Sequence, residues 1–273
     1  MANVTTVNRN FNGRVEVEIM QKIRGGYRKI YPLVEDGIKW ETERRGSPGK
    51  LTFSFYDIGN ENLNIQEGDK VTLRHYTASS SVAPPTIVFV GYVFTKKRAK
   101  DGKVDITAYD ALRYFKNKDT YVGTNKTASE ILKEITKNYN LTTGTIESTS
   151  YVISETAEDN QSLFDIVLNA LDTTLISTRK MFILYVDQGN ICLRDANKLK
   201  TDVIINDLVA ENFDYTSSID NETYNEIELY YDNDSTNKRE YYHAYDANTM
   251  NMWGRLRLTE QIQNNANGQD RAV

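Results

Sequence analysis

The chain has 273 residues, of which 39% are hydrophobic and 26% charged, and its formal net charge is −5. That length suffices for two domains, and the composition is that of a globular protein, which excludes a disordered chain. No basic stripe suited to a phosphate backbone stands out, and no apolar run approaches the ~20 residues of a membrane helix, so neither sequence-specific nucleic-acid binding nor membrane insertion is expected.

The N-terminal run MANVTTVNRN is polar and lacks an apolar signal-peptide core. The expectation is a protein made in a reducing cytoplasm and not secreted by a signal peptide. The single cysteine, Cys192, permits no intrachain disulfide. Sequons such as those at Asn125 and Asn221 carry no weight in that compartment.

Residues 1–118 read as β. Val15 to Ile19, Ile38 to Glu43, Leu51 to Phe55, Val71 to Tyr76, Ile87 to Phe94 and Val104 to Tyr109 alternate apolar and polar residues, so each buries one face. Gly25-Gly26, Glu35-Asp36-Gly37, Ser47-Pro48-Gly49, Glu67-Gly68-Asp69 and Asp101-Gly102 supply turn chemistry between them. Lys100-Asp101-Gly102-Lys103 predicts a hairpin with a type I′ turn. Short strands with regular turns predict a closed or nearly closed barrel. The densest positive run, Lys96-Lys97-Arg98 with Lys100 and Lys103, sits at that hairpin tip and reads as a solvated surface.

At about Lys118 the period shifts, and residues 119–180 read as helical. Thr127-Ala128-Ser129-Glu130 fits a capping box, with Ile131, Leu132, Ile135 and Tyr139 on one face of the helix behind it. That helix should stop near Asn140. A second helix is expected over about Ser162 to Thr174, striped by Leu163, Ile166, Val167, Ala170 and Leu171 and capped by Asp159, Asn160 or Ser162. After Lys180 the pattern returns to β. Met181 to Val186 and Ile191 to Leu193 flank the turn Asp187-Gln188-Gly189-Asn190, and Thr223 to Tyr231, Arg239 to Tyr245 and Trp253 to Leu258 are strand candidates. The polar tail 264–273 ends without a stop signal, so a second β region cut short at its C-terminus is expected.

The predicted fold class is α+β, with two mainly antiparallel tube-like β-barrel domains and an intervening helical domain. The boundaries are 1–118 for the first barrel, 119–180 for the helical α/β domain and 181–273 for the second barrel.

The search for chemistry assigns no catalytic, cofactor-binding or metal-ligating residue. His75 and His243 belong to no zinc spacing. His75 reads as a surface or interface residue and His243 as part of an aromatic cluster. Cys192 lies in an alternating run far from any histidine and reads as an inert packed thiol. Gly46-Ser47-Pro48-Gly49-Lys50 lacks the phosphate-loop spacing and reads as a turn entering a strand. Glu155, Glu158 and Asp159 read as carboxylates near a helix N-terminus, and Asp232 with Asp234 as a turn that lacks the glycine and distal Glu of a calcium loop.

Several stretches resemble the XkdQ/YqbQ family of phage-like tail proteins, known from PBSX-type defective prophages. They are Arg45 to Phe53, Ala108-Tyr109-Asp110 with Leu112-Arg113-Tyr114, Lys116 to Tyr121, Asp159-Asn160, Leu171-Asp172 and Lys180-Met181. The resemblance implies a baseplate hub of a contractile tail or contractile injection system, and no enzyme. Such a hub is a homotrimer that forms a pseudo-sixfold ring of tube-like barrels. It joins the tail tube protein to the spike protein beside other baseplate proteins, and it needs no cofactor. Two alternatives stay open: a phage-associated cell-wall (peptidoglycan) hydrolase, and a receptor- or carbohydrate-binding tail module presenting surface tyrosines, of which the chain has 18.

Overall fold

The computed structural model describes residues 14–35, 37–57, 63–76, 84–202, 216–220, 222–262 and 268–272. The polar N-terminal run, Asp36, Asn221 and half of the tail lie outside them. The chain divides into two compact units, one of Met1–Leu171 with Phe182–Ala196 and one of Asp172–Met181 with Asn197–Val273.

In the first unit, seven strands form an antiparallel sheet. They are β1 (Val15–Ile23), β2 (Gly26–Ile30), β3 (Lys39–Glu41), β4 (Lys50–Tyr56), β5 (Lys70–His75), β6 (Thr86–Arg98) and β7 (Lys103–Tyr109). Their order is β2-β1-β5-β6-β7-β4-β3. Alternation in the sequence becomes burial in the sheet: Leu51, Phe53 and Phe55 of β4 and Val104, Ile106 and Ala108 of β7 all point inward. They meet Val17, Ile19, Val71, Leu73, Phe89 and Val93 in a core built almost wholly from this one sheet. Burying each large side chain there contributes about 1.5–3 kcal/mol.

The sheet thus wraps its own core, but it is not the closed barrel expected. Its edges, β2 and β3, are only five and three residues long. The chain leaving β2 reaches the far side at one bridge, Val34 with Phe55, where the Glu35 amide donates to the Ser54 carbonyl at 2.9 Å. Two strand ends this short cannot supply a continuous ladder. The hairpin at Asp101-Gly102 forms, but only Gly102 takes a positive φ, 90°, so it is not the type I′ turn expected. Asp101 instead accepts the Lys103 amide at 3.0 Å. Gly91 is required by close approach: a Cβ there would stand 2.2 Å from the Tyr109 carbonyl oxygen of β7.

After β7, Asp110 caps a short 3-10 helix, Ala111–Lys116. The chain does not then turn helical at Lys118. It first forms β8 (Lys118–Thr127), and the helix α1 (Ala128–Asn138) starts at the capping box of Thr127 and Glu130, as its sequence signature predicts. β9 (Thr143–Ile146) and β10 (Val152–Ser162) follow, then α2 (Leu163–Thr178), whose Asp165 amide donates to the Ser162 hydroxyl at 3.1 Å. β11 (Phe182–Asp187) and β12 (Asn190–Asp195) pair through the predicted turn, with Gln188 and Gly189 at positive φ. β8 and β10 make an antiparallel ribbon, and β9 adds to β12 in parallel. Residues 119–180 are therefore mixed α/β in their elements. The core here gathers Leu112 and Phe115, the stripe Ile131, Leu132 and Ile135, the stripe Leu163, Ile166 and Val167, and Leu184, Ile191 and Leu193. Both helical stripes predicted from the sequence are core.

The second unit holds β13 (Glu226–Asn233), β14 (Lys238–Tyr245), α3 (Ala247–Trp253), β15 (Arg257–Gln261) and α4 (Gly268–Ala272). Its strands form one sheet in the order β14-β13-β15, with β13 and β15 parallel. Among the described residues this is an open three-stranded sheet in place of the second barrel expected. Trp253 lies at the end of α3, because Asp246 accepts the Asn248 amide at 2.9 Å and starts a helix ahead of the last strand.

Candidate functional site

Pairing of Lys50 with Tyr109 puts the turn before β4 beside the turn after β7. Two stretches separate in the sequence, Gly46 to Lys50 and Ala108 to Asp110, become one junction. The Asp110 carboxylate is 6% exposed and accepts two backbone amides, Gly49 on Oδ2 and Leu112 on Oδ1, both at 2.9 Å. The Asp110 amide returns a bond to the Gly49 carbonyl at 3.0 Å. A Cβ on Gly49 would lie 2.5 Å from Asp110 Oδ2, so the clamp depends on glycine. Burial pushes the Asp110 carboxyl up to about 6, and the two amides only partly offset it.

This junction opens on a cavity of about 360 Å³. Trp40 of β3, Val88 to Val90 of β6 and Ile183 to Val186 of β11 give it mainly apolar walls, and Glu43, Arg44, Asp110 and Gln188 add polar groups. The tip of the β11–β12 turn touches β6, since a Cβ on Gly189 would lie 2.9 Å from Val90. Trp40 keeps 48% of its surface exposed. On β6 and β7, Phe94 packs edge-on to Tyr109 at 5.6 Å and carries the Arg113 guanidinium over its ring at 5.2 Å.

A second polar cluster lies within the second unit. Glu226, 1% exposed, takes His243 Nε2 at 2.7 Å and Arg255 Nη2 at 2.6 Å, with Arg255 Nε also in contact and Arg257 Nε at 3.8 Å. Arg255 above all, then His243, holds the Glu226 carboxyl down to about 2. This is an ion-pair cluster fastening β13 to the segment before β15. It follows from the register of β13, and no local pattern in the sequence marks it.

The other candidate residues from the sequence are placed apart from one another. Cys192 is buried in β12. His75 ends β5 opposite Val15. Glu155, Glu158 and Asp159 lie on β10, not on a helix N-terminus; Glu158 accepts Asn169 and Asp159 accepts Thr120. Asp232 pairs with Arg239 across a hairpin. In the positive run, Lys96 donates to the Ile65 carbonyl at 2.6 Å and Arg98 to Asp57 at 2.7 Å. Among the described residues no group of three or more His, Cys, Asp or Glu is placed to hold a metal ion, and no helix is long and apolar enough to cross a membrane.

The described elements define a mainly β protein of several sheets. Residues 38–272 match the YQBQ-like family, and the chain belongs to that family. It is 28% identical over 240 residues to the uncharacterized protein YqbQ of Bacillus subtilis strain 168, and 30% identical over 245 residues to the phage-like element PBSX protein XkdQ of the same strain. Each match covers 86% of this chain and 70% of the relative. In fold it is similar to the 43 kDa tail protein of prophage MuSo2 from Shewanella oneidensis, with a TM-score of 0.64 at 13% identity, over 94% of this chain and 76% of the other. It is also similar to a tail protein from Neisseria meningitidis MC58, with a TM-score of 0.62 at 11% identity, over 96% and 75%.

Proposed function

We propose that this chain is a structural baseplate hub of a contractile phage tail or tail-like particle, joining the tail tube to the central spike as a homotrimer. The observation that carries the reading is family membership together with a fold shared with two tail proteins over nearly the whole chain. Residues 1–118 and 181–273 would be its two tube-type β regions and 119–180 the domain between them. One feature supports an assembly role. In the second unit Tyr241, Tyr245 and Met252 are 59, 65 and 69% exposed, and aromatic and Met side chains left in water are typical of interface cores. Within the particle, the partners are the tube protein, the spike protein and other baseplate proteins.

The test is co-expression with the tube and spike proteins of the same particle, followed by light scattering on the purified species. The expected result is a complex holding this chain at three times 31.3 kDa with both partners attached. A monomer with no affinity for either partner would overturn the proposal.

A further inference from the structure

The cavity beside the Gly49–Asp110 clamp combines aromatic walls with charged groups. Three aromatic side chains line it: Trp40, Phe89 and Tyr185. Two carboxylates, Glu43 and Asp110, join them. One cation, Arg44, lines it as well and already has an interaction within the chain. Each Asp110 oxygen accepts one backbone amide and keeps a further lone pair. Aromatic faces attract cations, an indole most strongly, and carboxylates pair with them. A long basic side chain also brings an apolar stem to cover apolar walls. At about 360 Å³ the space falls in the range of ligand pockets.

We infer that this cavity is a recognition pocket for a basic side chain, arginine above all, presented by a partner protein. The stem would pack against β6 and β11 while the guanidinium meets the Trp40 ring and the Glu43 and Asp110 carboxylates. The inference stands on the cavity alone and does not depend on the trimeric ring proposed above.

The probe is N-acetyl-arginine amide, titrated into the full chain carrying Trp253→Phe, so that Trp40 is the only indole. Trp40 fluorescence and the amide resonances of Gly49, Leu112 and Gln188 report binding at fixed ionic strength. A saturable response in the millimolar range is expected, as suits so small a ligand. N-acetyl-norleucine amide, with a similar stem and no charge, should bind roughly tenfold more weakly, the loss of a desolvated cation's contacts. Glu43→Gln, at an exposed position, should weaken arginine binding several-fold and leave norleucine binding unchanged. Equal affinity for the two amides would reduce the cavity to an apolar hole and overturn the inference. So would shifts spread over the surface with none at Gly49, Leu112 or Gln188.

Discussion

Replacing Asp110 by Asn tests the clamp through its pH dependence. In the native chain burial raises the carboxyl from 3.8 to about 6. A raised folded pKa means that the native state holds the proton more tightly than the unfolded chain. The stability tied to that proton is therefore fully present below 3.8 and is lost as pH rises through about 6. The span corresponds to about 3 kcal/mol. The carboxamide of the D110N variant cannot ionise, so its contribution is flat across this window. Other carboxylates, such as Glu18 and Glu226, titrate in the opposite sense. They are common to both proteins and cancel in the comparison. With Trp253→Phe in both proteins, so that Trp40 is the only indole, urea unfolding followed by fluorescence at intervals from about pH 4 to about pH 7.5 measures the difference. The advantage of native over D110N should shrink by about 2.5 kcal/mol as pH rises across that range. A difference that stays flat, or grows with pH, would mean that the two amide bonds outweigh burial, and would refute the reasoning.

The other predictions concern backbone fit, capping and the ion-pair cluster. Gly91→Ala forces a Cβ against the Tyr109 carbonyl and should destabilise the seven-stranded sheet by several kcal/mol, on the order of 3 or more, as thermal unfolding would register. Thr127→Ala removes the acceptor for the Glu130 amide and should cost about 1 kcal/mol, while Thr127→Ser should restore it. Glu226→Gln should destabilise the second unit at neutral pH, read by the fluorescence of Trp253 in a Trp40→Phe background. Because the folded Glu226 carboxyl is held down to about 2, its contribution is present above 4.5 and is lost as pH falls toward 2. The gap between native and variant should close over that interval.

Much of this architecture is legible in the sequence because it follows from period. The strands of the first sheet alternate cleanly, and both helical stripes face a core. The capping box at Thr127 marks the start of α1 to the residue. β8 and β10 are not legible, for a physical reason. Their ribbon is largely exposed on both faces, with Val122 72% exposed and polar residues on both strands, so there is no buried face to impose alternation. Barrel closure is beyond what the pattern carries, because strand count says nothing about how two edges meet. The parallel pairs β9–β12 and β13–β15 carry no local signal either, since each joins strands distant in sequence. The Gly49–Asp110 site lies in plain view as two turns. That they form one site depends on the register of β4 against β7, which no local pattern encodes.

The same clamp joins residues 61 positions apart in the chain. A contact of that span closes only when β7 pairs with β4, and the loop-closure entropy of the 61-residue separation should place it late in folding. Breaking it should leave the refolding rate almost unchanged and appear on the unfolding arm of a chevron. Asp110 and Gly49 would then act as a latch on the finished sheet. The clamp would govern how long the fold survives more than how quickly it forms.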